Sequence, residues 1–199
     1  MNPVAKRIVL LVLVVLGAWQ FAITRPVTQP DGVLAADAPV EQVPGDGMTP
    51  IVRPDFRLES LGRITLEARV LGRQSYPRDR FGRLAPLDLL VGWGSMSDSV
   101  RLRAVDFAQS GRVYVWQSYD PALADAEVAA STLLLHVVPA TPGLEDVLGK
   151  VRVGQVVKIG GVLLQATAAD QAPWRGREIR IEVREGRSRV VYVESLELN

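Results

Sequence analysis

The chain has 199 residues, 48% of them hydrophobic, and its 23 basic and 22 acidic side chains leave a formal net charge of +1. So even a balance excludes a polyanion-binding surface spread over the whole molecule, and nucleic acid is not an expected partner. With no cysteine there is no disulfide framework, no Cys-based zinc site and no thiol nucleophile, and no metal or other cofactor is expected.

The first element follows Lys6 and Arg7. Residues 8–24 are uncharged, 17 positions that end at Arg25, which meets the lower bound of about 17 to 25 for a membrane-spanning helix. At about 1.5 Å per residue they cover roughly 25 Å, with Trp19 and Gln20 expected at the outer interface. A cleaved signal peptide needs small residues just after the apolar run; bulky Trp19, Gln20 and Phe21 stand there instead, and Ala36-Asp37-Ala38 comes well beyond it. The reading is an uncleaved transmembrane signal-anchor over 8–24. Lys6 and Arg7 hold residues 1–7 in the cytoplasm, and the chain is expected as a single-pass protein of a bacterial inner membrane with its C-terminal domain in the periplasm.

Residues 25–54 form a linker in which Pro26, Pro30, Pro39, Pro44, Pro50 and Pro54 recur. Proline fixes φ and removes backbone donors, so this stretch is expected as an extended tether, with Val33, Leu34 and Val40 as side chains able to dock on a surface. Residues 55–199 are expected to be one soluble, β-rich domain. Ile64, Leu66, Ala68 and Val70 alternate with Thr65, Glu67 and Arg69, the period of a strand with one buried face. Arg73, Arg78, Arg80 and Arg83 then surround Asp79 in a turn-rich loop. They read either as a site for an anionic partner or as a solvated loop with local ion pairs.

Residues 84–98 (LAPLDLLVGWGSMSD) predict a short helix that starts near Pro86, packs Leu87, Leu89 and Leu90 inward and ends at Gly92. Gly92-Trp93-Gly94 follows, with Ser95 and Asp98 close behind. One reading is a rigid loop that presents Trp93, Ser95 and Asp98 to a ligand; the other is a core tryptophan at a corner, with Ser97 or Asp98 capping the next element. Further on, Ser110-Gly111 marks a hairpin between 104–108 and 112–117. A short helix capped by Asp125 precedes a buried strand over 132–138 that holds the single histidine, His136. A Thr141-Pro142 start predicts a helix to about Gly149. Residues 150–166 read as strand, glycine turn and strand, with a bulge or bend at Gly160-Gly161, and 178–183 with 189–193 as a hairpin.

These elements predict an α+β or mainly β class: a small curved sheet or partly open barrel with two or three short helices, preceded by the transmembrane helix. The stretch VGQVVKIGGVLL is similar to a strand pair of OB-type or SH3-like barrels. RPV with GVLAADAPVEQ in the linker, LEARVLGRQSY, LAPLDLLVGWGSMSD, LLLHVVPA and VRVGQVVKIGGVLL together resemble a group of uncharacterised bacterial proteins with an N-terminal membrane segment, the GWG-x-MSD element with the later His-x-x-Pro-Ala being the most specific part. That resemblance implies no activity. The chain also departs from the group between Trp174 and Val191, where it lacks a Gly-x-Gly-Ala-Cys-Glu stretch.

Two functional readings follow. The first is a membrane-tethered, non-enzymatic module that binds an envelope protein or another envelope component, with Trp93, Ser95, Asp98, Arg73, Arg78, Arg80 and Arg83 as contacts. The second is a hydrolase using Asp88, Asp98 and His136 as acid-base groups, which requires at least two of them to meet in a pocket. An OB-type nucleic-acid module is a third, weaker alternative.

Overall fold

A computed structural model describes residues 25–43, 52–53, 55–76, 79, 81–168 and 172–199. The expected anchor at 8–24 lies outside these residues, as do Arg78 and Arg80, and among the described residues no helix is long and apolar enough to cross a membrane. The strands are β1 (Val40–Gln42), β2 (Val52–Arg53), β3 (Phe56–Ser75), β4 (Leu87–Gly92), β5 (Val105–Ser110), β6 (Val113–Ser118), β7 (Thr132–Pro139), β8 (Val156–Ala168) and β9 (Ser188–Leu198). Among the described residues three short helices accompany them: α1 (Ser99–Leu102), α2 (Asp125–Ala130) and α3 (Pro142–Gly149). The chain is thus mainly β.

β3, β4, β7, β9 and β8 follow one another across a curved sheet, with β1 and β2 added along β3. All these pairs are antiparallel except β7 with β9, which run parallel. β3 pairs with β8 over Phe56–Arg69 and with β4 over Arg69–Ser75, so this 20-residue strand borders both ends of the path. Register shifts at Ser60/Gly62, Val70/Gly72 and Gly160/Gly161 supply the bends such curvature needs. At Gly161 a Cβ would stand 2.2 Å from the Tyr192 carbonyl oxygen, so β8 and β9 approach there only because the side chain is missing.

The concave side buries Ile64, Leu66, Ala68 and Val70 of β3 against Leu87, Leu89, Val91, Leu133, Leu135, Val137, Ile159 and Val191. The insertion at 93–131 covers part of the convex side of β4 and β7, where Leu90 and Leu134 meet Tyr114, Trp116, Val128 and Met96. A third cluster joins Leu58, Val162, Leu164 and Val190 to Leu84 and Val138. Being covered on both faces explains one correction. Residues 87–92 are strand β4 and not the helix that their unbroken apolar run suggests, because a strand buried on both sides shows no alternation.

A second correction concerns the C-terminal hairpin. Residues 181–183 form a 3-10 turn, the fold-back is limited to Arg177 with Ser188 and Arg180 with Glu185, and 188–198 pair with β7 and β8 instead of with 178–183. Residues 156–168 are likewise one continuous strand with a bulge, not two strands around a turn. The β5–β6 hairpin, the buried β7 and the Thr141-capped α3 match their sequence patterns. α2 begins at Asp125, but Ala124 occupies the cap position and the Asp125 carboxylate is engaged elsewhere.

Inside the convex cluster a polar relay fixes Tyr114. Its hydroxyl lies 2.7 Å from Thr132 Oγ1, which donates in turn to the Val128 carbonyl at 2.7 Å. Burial pushes the Tyr114 phenol from 10.0 up to about 12. Because the folded value is the higher one, the associated stability is complete below pH 10.0 and lost as pH climbs toward 12. The loss totals about 2–3 kcal/mol. Urea unfolding at about pH 9 and about pH 11 should show about half of this fall, and Tyr114→Phe should flatten it.

Candidate functional site

The GWG-x-MSD element holds a strap made of the linker. Trp93 is 4% exposed and belongs to the concave core, with its backbone N–H on the Ser131 carbonyl and the Arg187 guanidinium 5.4 Å from its ring centroid. The binding reading of Trp93 is therefore corrected: the ring closes one end of the core and presents no surface. The next residues turn outward to hold the strap. Gly94 N–H donates to the Ala35 carbonyl at 2.7 Å, and Ser97 Oγ accepts from the Leu34 and Ala35 N–H groups, both at 3.1 Å, and donates to the Gly94 carbonyl at 2.8 Å. One hydroxyl thus uses its donor and both lone pairs. Asp98 Oδ1 accepts from Val100 N–H at 2.8 Å, capping α1, and from Gly32 N–H at 3.1 Å. Ser99 Oγ reaches the Pro30 carbonyl at 2.9 Å, and Arg103 pairs with Asp31.

The strap is fixed further at both ends. Val27 N–H donates to the Val153 carbonyl at 2.8 Å, and β1 pairs antiparallel with β3 at Ile64. Gly154, at φ +91°, lies so close under the strap that a Cβ would meet Val27 O at 2.0 Å. The described part of the linker is therefore attached from Val27 to β1, with a bend at Gly32 (φ 108°), where a free tether was expected. Ala35, at 4% exposure, is its buried anchor, whereas Val33 and Val40 point to solvent. Ser95 is half-buried, and its carbonyl accepts from Asp98 N–H. Replacing Ser97 and Asp98 together by alanine should cost about 1–3 kcal/mol and open the Ala36-Asp37-Ala38 stretch to proteolysis. Limited digestion followed by mass spectrometry would show the new cut.

Of the loop arginines, the described Arg73 and Arg83 do not join this element. Arg73 donates to the Gly149 carbonyl at the C-terminus of α3 at 3.2 Å, and burial lowers its pKa. It thus steadies the negative end of that helix. Arg83 pairs with Asp55 at 3.0 Å with both side chains largely exposed, a contact of little energetic weight.

The structure does bring together two of the three proposed acid-base groups. Asp88 on β4 and His136 on β7 are register partners, and Asp88 Oδ1 lies 3.0 Å from His136 Nδ1, too far out of line for a hydrogen bond. Both residues are fully buried. Arg112, at the hairpin tip, bonds Asp88 Oδ1 at 2.8 Å, the Ala85 carbonyl at 2.8 Å, and Asp79 through Nε at 2.6 Å and Nη2 at 2.8 Å. Its guanidinium stacks 4.3 Å from the Tyr76 ring centroid, and Trp174 stands 4.7 Å from the His136 ring. The turn that positions Arg112 is the hairpin type with two left-handed residues, Gly111 at φ 58° and Arg112 itself at φ 63°. A left-handed arginine is strained by about 1–2 kcal/mol, a cost its five-fold set of contacts offsets. Asp98 lies elsewhere, spent on α1 and the strap. Acid-base work needs a group within hydrogen-bond reach of a substrate, and neither Asp88 nor His136 reaches solvent. The cluster acts as a polar clasp that pins the hairpin tip to the sheet.

One surface feature went unread in the sequence. A groove of about 610 Å³ runs between the outer face of the β5–β6 hairpin and the 181–184 turn. Val115, Ile181 and Val183 stand at its edge with 40%, 43% and 51% exposure. Asp106, Asp125, Glu182 and Arg184 are the charged side chains that line it. Arg184 is committed to Asp125 at 2.9 Å and to Gln117 Oε1 at 2.9 Å. Its bond, with a further one from Trp116 Nε1, lowers the Asp125 pKa and keeps that carboxylate ionised. The available signal was Val115 standing out of phase with buried Tyr114 and Trp116; its meaning depended on residues 181–184, which reach the hairpin only in the folded chain.

No protein-family model, curated protein or solved structure matches the chain.

Proposed function

We propose that this chain is a membrane-anchored, non-enzymatic module of the bacterial envelope that docks a basic, extended protein segment in the groove beside the β5–β6 hairpin. The groove carries this reading: it is open, edged by exposed Val115, Ile181 and Val183, and of its three carboxylates Asp106 and Glu182 are left over once Asp125 pairs with Arg184. An apolar trough with an acidic rim suits a segment with aliphatic residues beside Lys or Arg. The acid-base pair that a hydrolase would need is buried under Arg112.

The fold reading belongs with this proposal. Strand order β3-β4-β7-β9-β8 with β8 back on β3, a parallel β7–β9 pair, and α3 between β7 and β8 support an OB-type, partly open barrel. Such barrels offer the face of their second and third strands to oligonucleotides or oligosaccharides. Here the corresponding strands are β4 and β7, and the insertion covers that face through Leu90 and Leu134. This argues for a protein ligand at the groove over a nucleic acid at the sheet.

The test uses the full-length protein in its membrane with a photoreactive residue at Val115 or Val183. A discrete protein adduct at both positions, lost when Asp106 and Glu182 are changed to lysine, is the expected result. Adducts that survive the charge reversal, or none at either site, would overturn the groove reading. Protease treatment of intact and outer-layer-opened cells tests the compartment: the domain should be digested only after opening.

A further inference from the structure

We infer that the strap seats one face of the domain, formed by Val27, Lys150, Arg152 and Val153, directly on the lipid headgroups of the membrane that holds the anchor. The inference rests on the anchor reading and adds an orientation to it. A linker of residues 25–54, free along its length, would let the domain roam many tens of ångströms from the bilayer. Instead the strap is attached from Val27 onward, by its bond to Val153, the close approach over Gly154, the Ser97-Asp98-Ser99 contacts and β1. Between residue 24, the last of the uncharged run, and Val27 lie only Arg25 and Pro26. Three Cα steps add at most about 11 Å to the roughly 6 Å that residues 21–24 rise beyond Gln20 at the outer interface if helical, a reach that keeps Val27 next to the headgroup layer.

The residues at that point have the chemistry for such a surface. Lys150 is exposed, Arg152 and Val153 are half-buried, and Arg25 lies two residues before Val27. Among the described residues neither Lys150 nor Arg152 has a carboxylate within ion-pair distance; Asp146, four residues before Lys150, makes no pair with it. Cations beside a membrane-proximal tether are attracted to anionic headgroups.

The absence of cysteine makes the test direct. Gly149→Cys places a label next to Lys150 where an added Cβ meets nothing within 4 Å, and leaves both cations intact. Glu59→Cys is the reference: Glu59 is exposed and lies ten residues along β3 from Arg69, the register partner of Val156, roughly 30 Å away. The full-length protein, reconstituted into vesicles containing anionic lipid and a headgroup-attached quencher, should show several-fold stronger quenching at 149 than at 59. Ser97→Ala with Asp98→Ala, which loosens the strap, should narrow that difference. Equal quenching at both sites in a protein that resists alkaline extraction would overturn the seated face while leaving the anchor intact. Release by alkaline extraction would overturn the anchor reading and the seated face with it.

Discussion

Arg112→Met should destabilise the domain by about 3–5 kcal/mol, read as a lowered urea midpoint at neutral pH. Asp88 is fully buried and Arg112 is the only cation hydrogen-bonded to it among the described residues. Removing the guanidinium leaves a carboxylate beside His136 with no solvent to replace it. Asp79, the other partner, is 36% exposed and regains water, so the loss concentrates on Asp88. Two further variants separate the causes. Asp88→Asn in the Arg112→Met background should recover much of the loss, because a neutral amide in the same place lacks the uncompensated charge. Arg112→Gly should be milder than Arg112→Met by about 1 kcal/mol, since glycine relieves the left-handed strain. A loss below about 1 kcal/mol for Arg112→Met, within the range of a surface ion pair, would mean that the clasp is not what holds the hairpin.

Trp93→Ala should cost about 3–5 kcal/mol and Ser95→Ala within about 0.5 kcal/mol, a contrast that divides the GWG-x-MSD element into structural and peripheral parts. The indole is 4% exposed and packs in the concave core with Arg187 over its ring. Its removal opens a cavity that flanking β4 and β7, buried on both faces, are poorly placed to fill. A surface-presented tryptophan would behave in the opposite way, with unchanged stability and lost binding, and thermal melts of the two variants distinguish the cases.

What could be read from the sequence depended on whether the information was local. The alternation at 64–70, the Ser110-Gly111 turn and the Thr141-Pro142 start each carry their signal within a few residues, and each element formed where expected. Leu87–Gly92 was misread because burial on both faces erases the period that separates strand from helix. Ile181, Glu182 and Val183 alternate as a strand would, but Arg184 at φ 49° turns the chain and the partner strand is taken by β7 and β8. For the site, Ser97 and Asp98 were visible as polar groups near a glycine corner. That their ligand is the chain's own residues 32–35 required a contact across more than sixty positions. Asp88 and His136 were singled out as ionisable groups in apolar runs, while Arg112, which settles their role, stood in a turn with no feature to mark it.

The strand order has a consequence for how the chain comes to be folded. β3 occupies residues 56–75 but needs β8 at 156–168, and β9, last to be made, lies between β7 and β8 rather than at an edge. Loop closure over about a hundred residues delays such pairings, and contacts so distant in sequence slow the search for the native state. Until β9 arrives, the apolar edges of β7 and β8 stay open to other chains. A chain made from its N-terminus thus assembles last at the centre of its sheet, so loss of β9 is expected to yield aggregate rather than a trimmed domain.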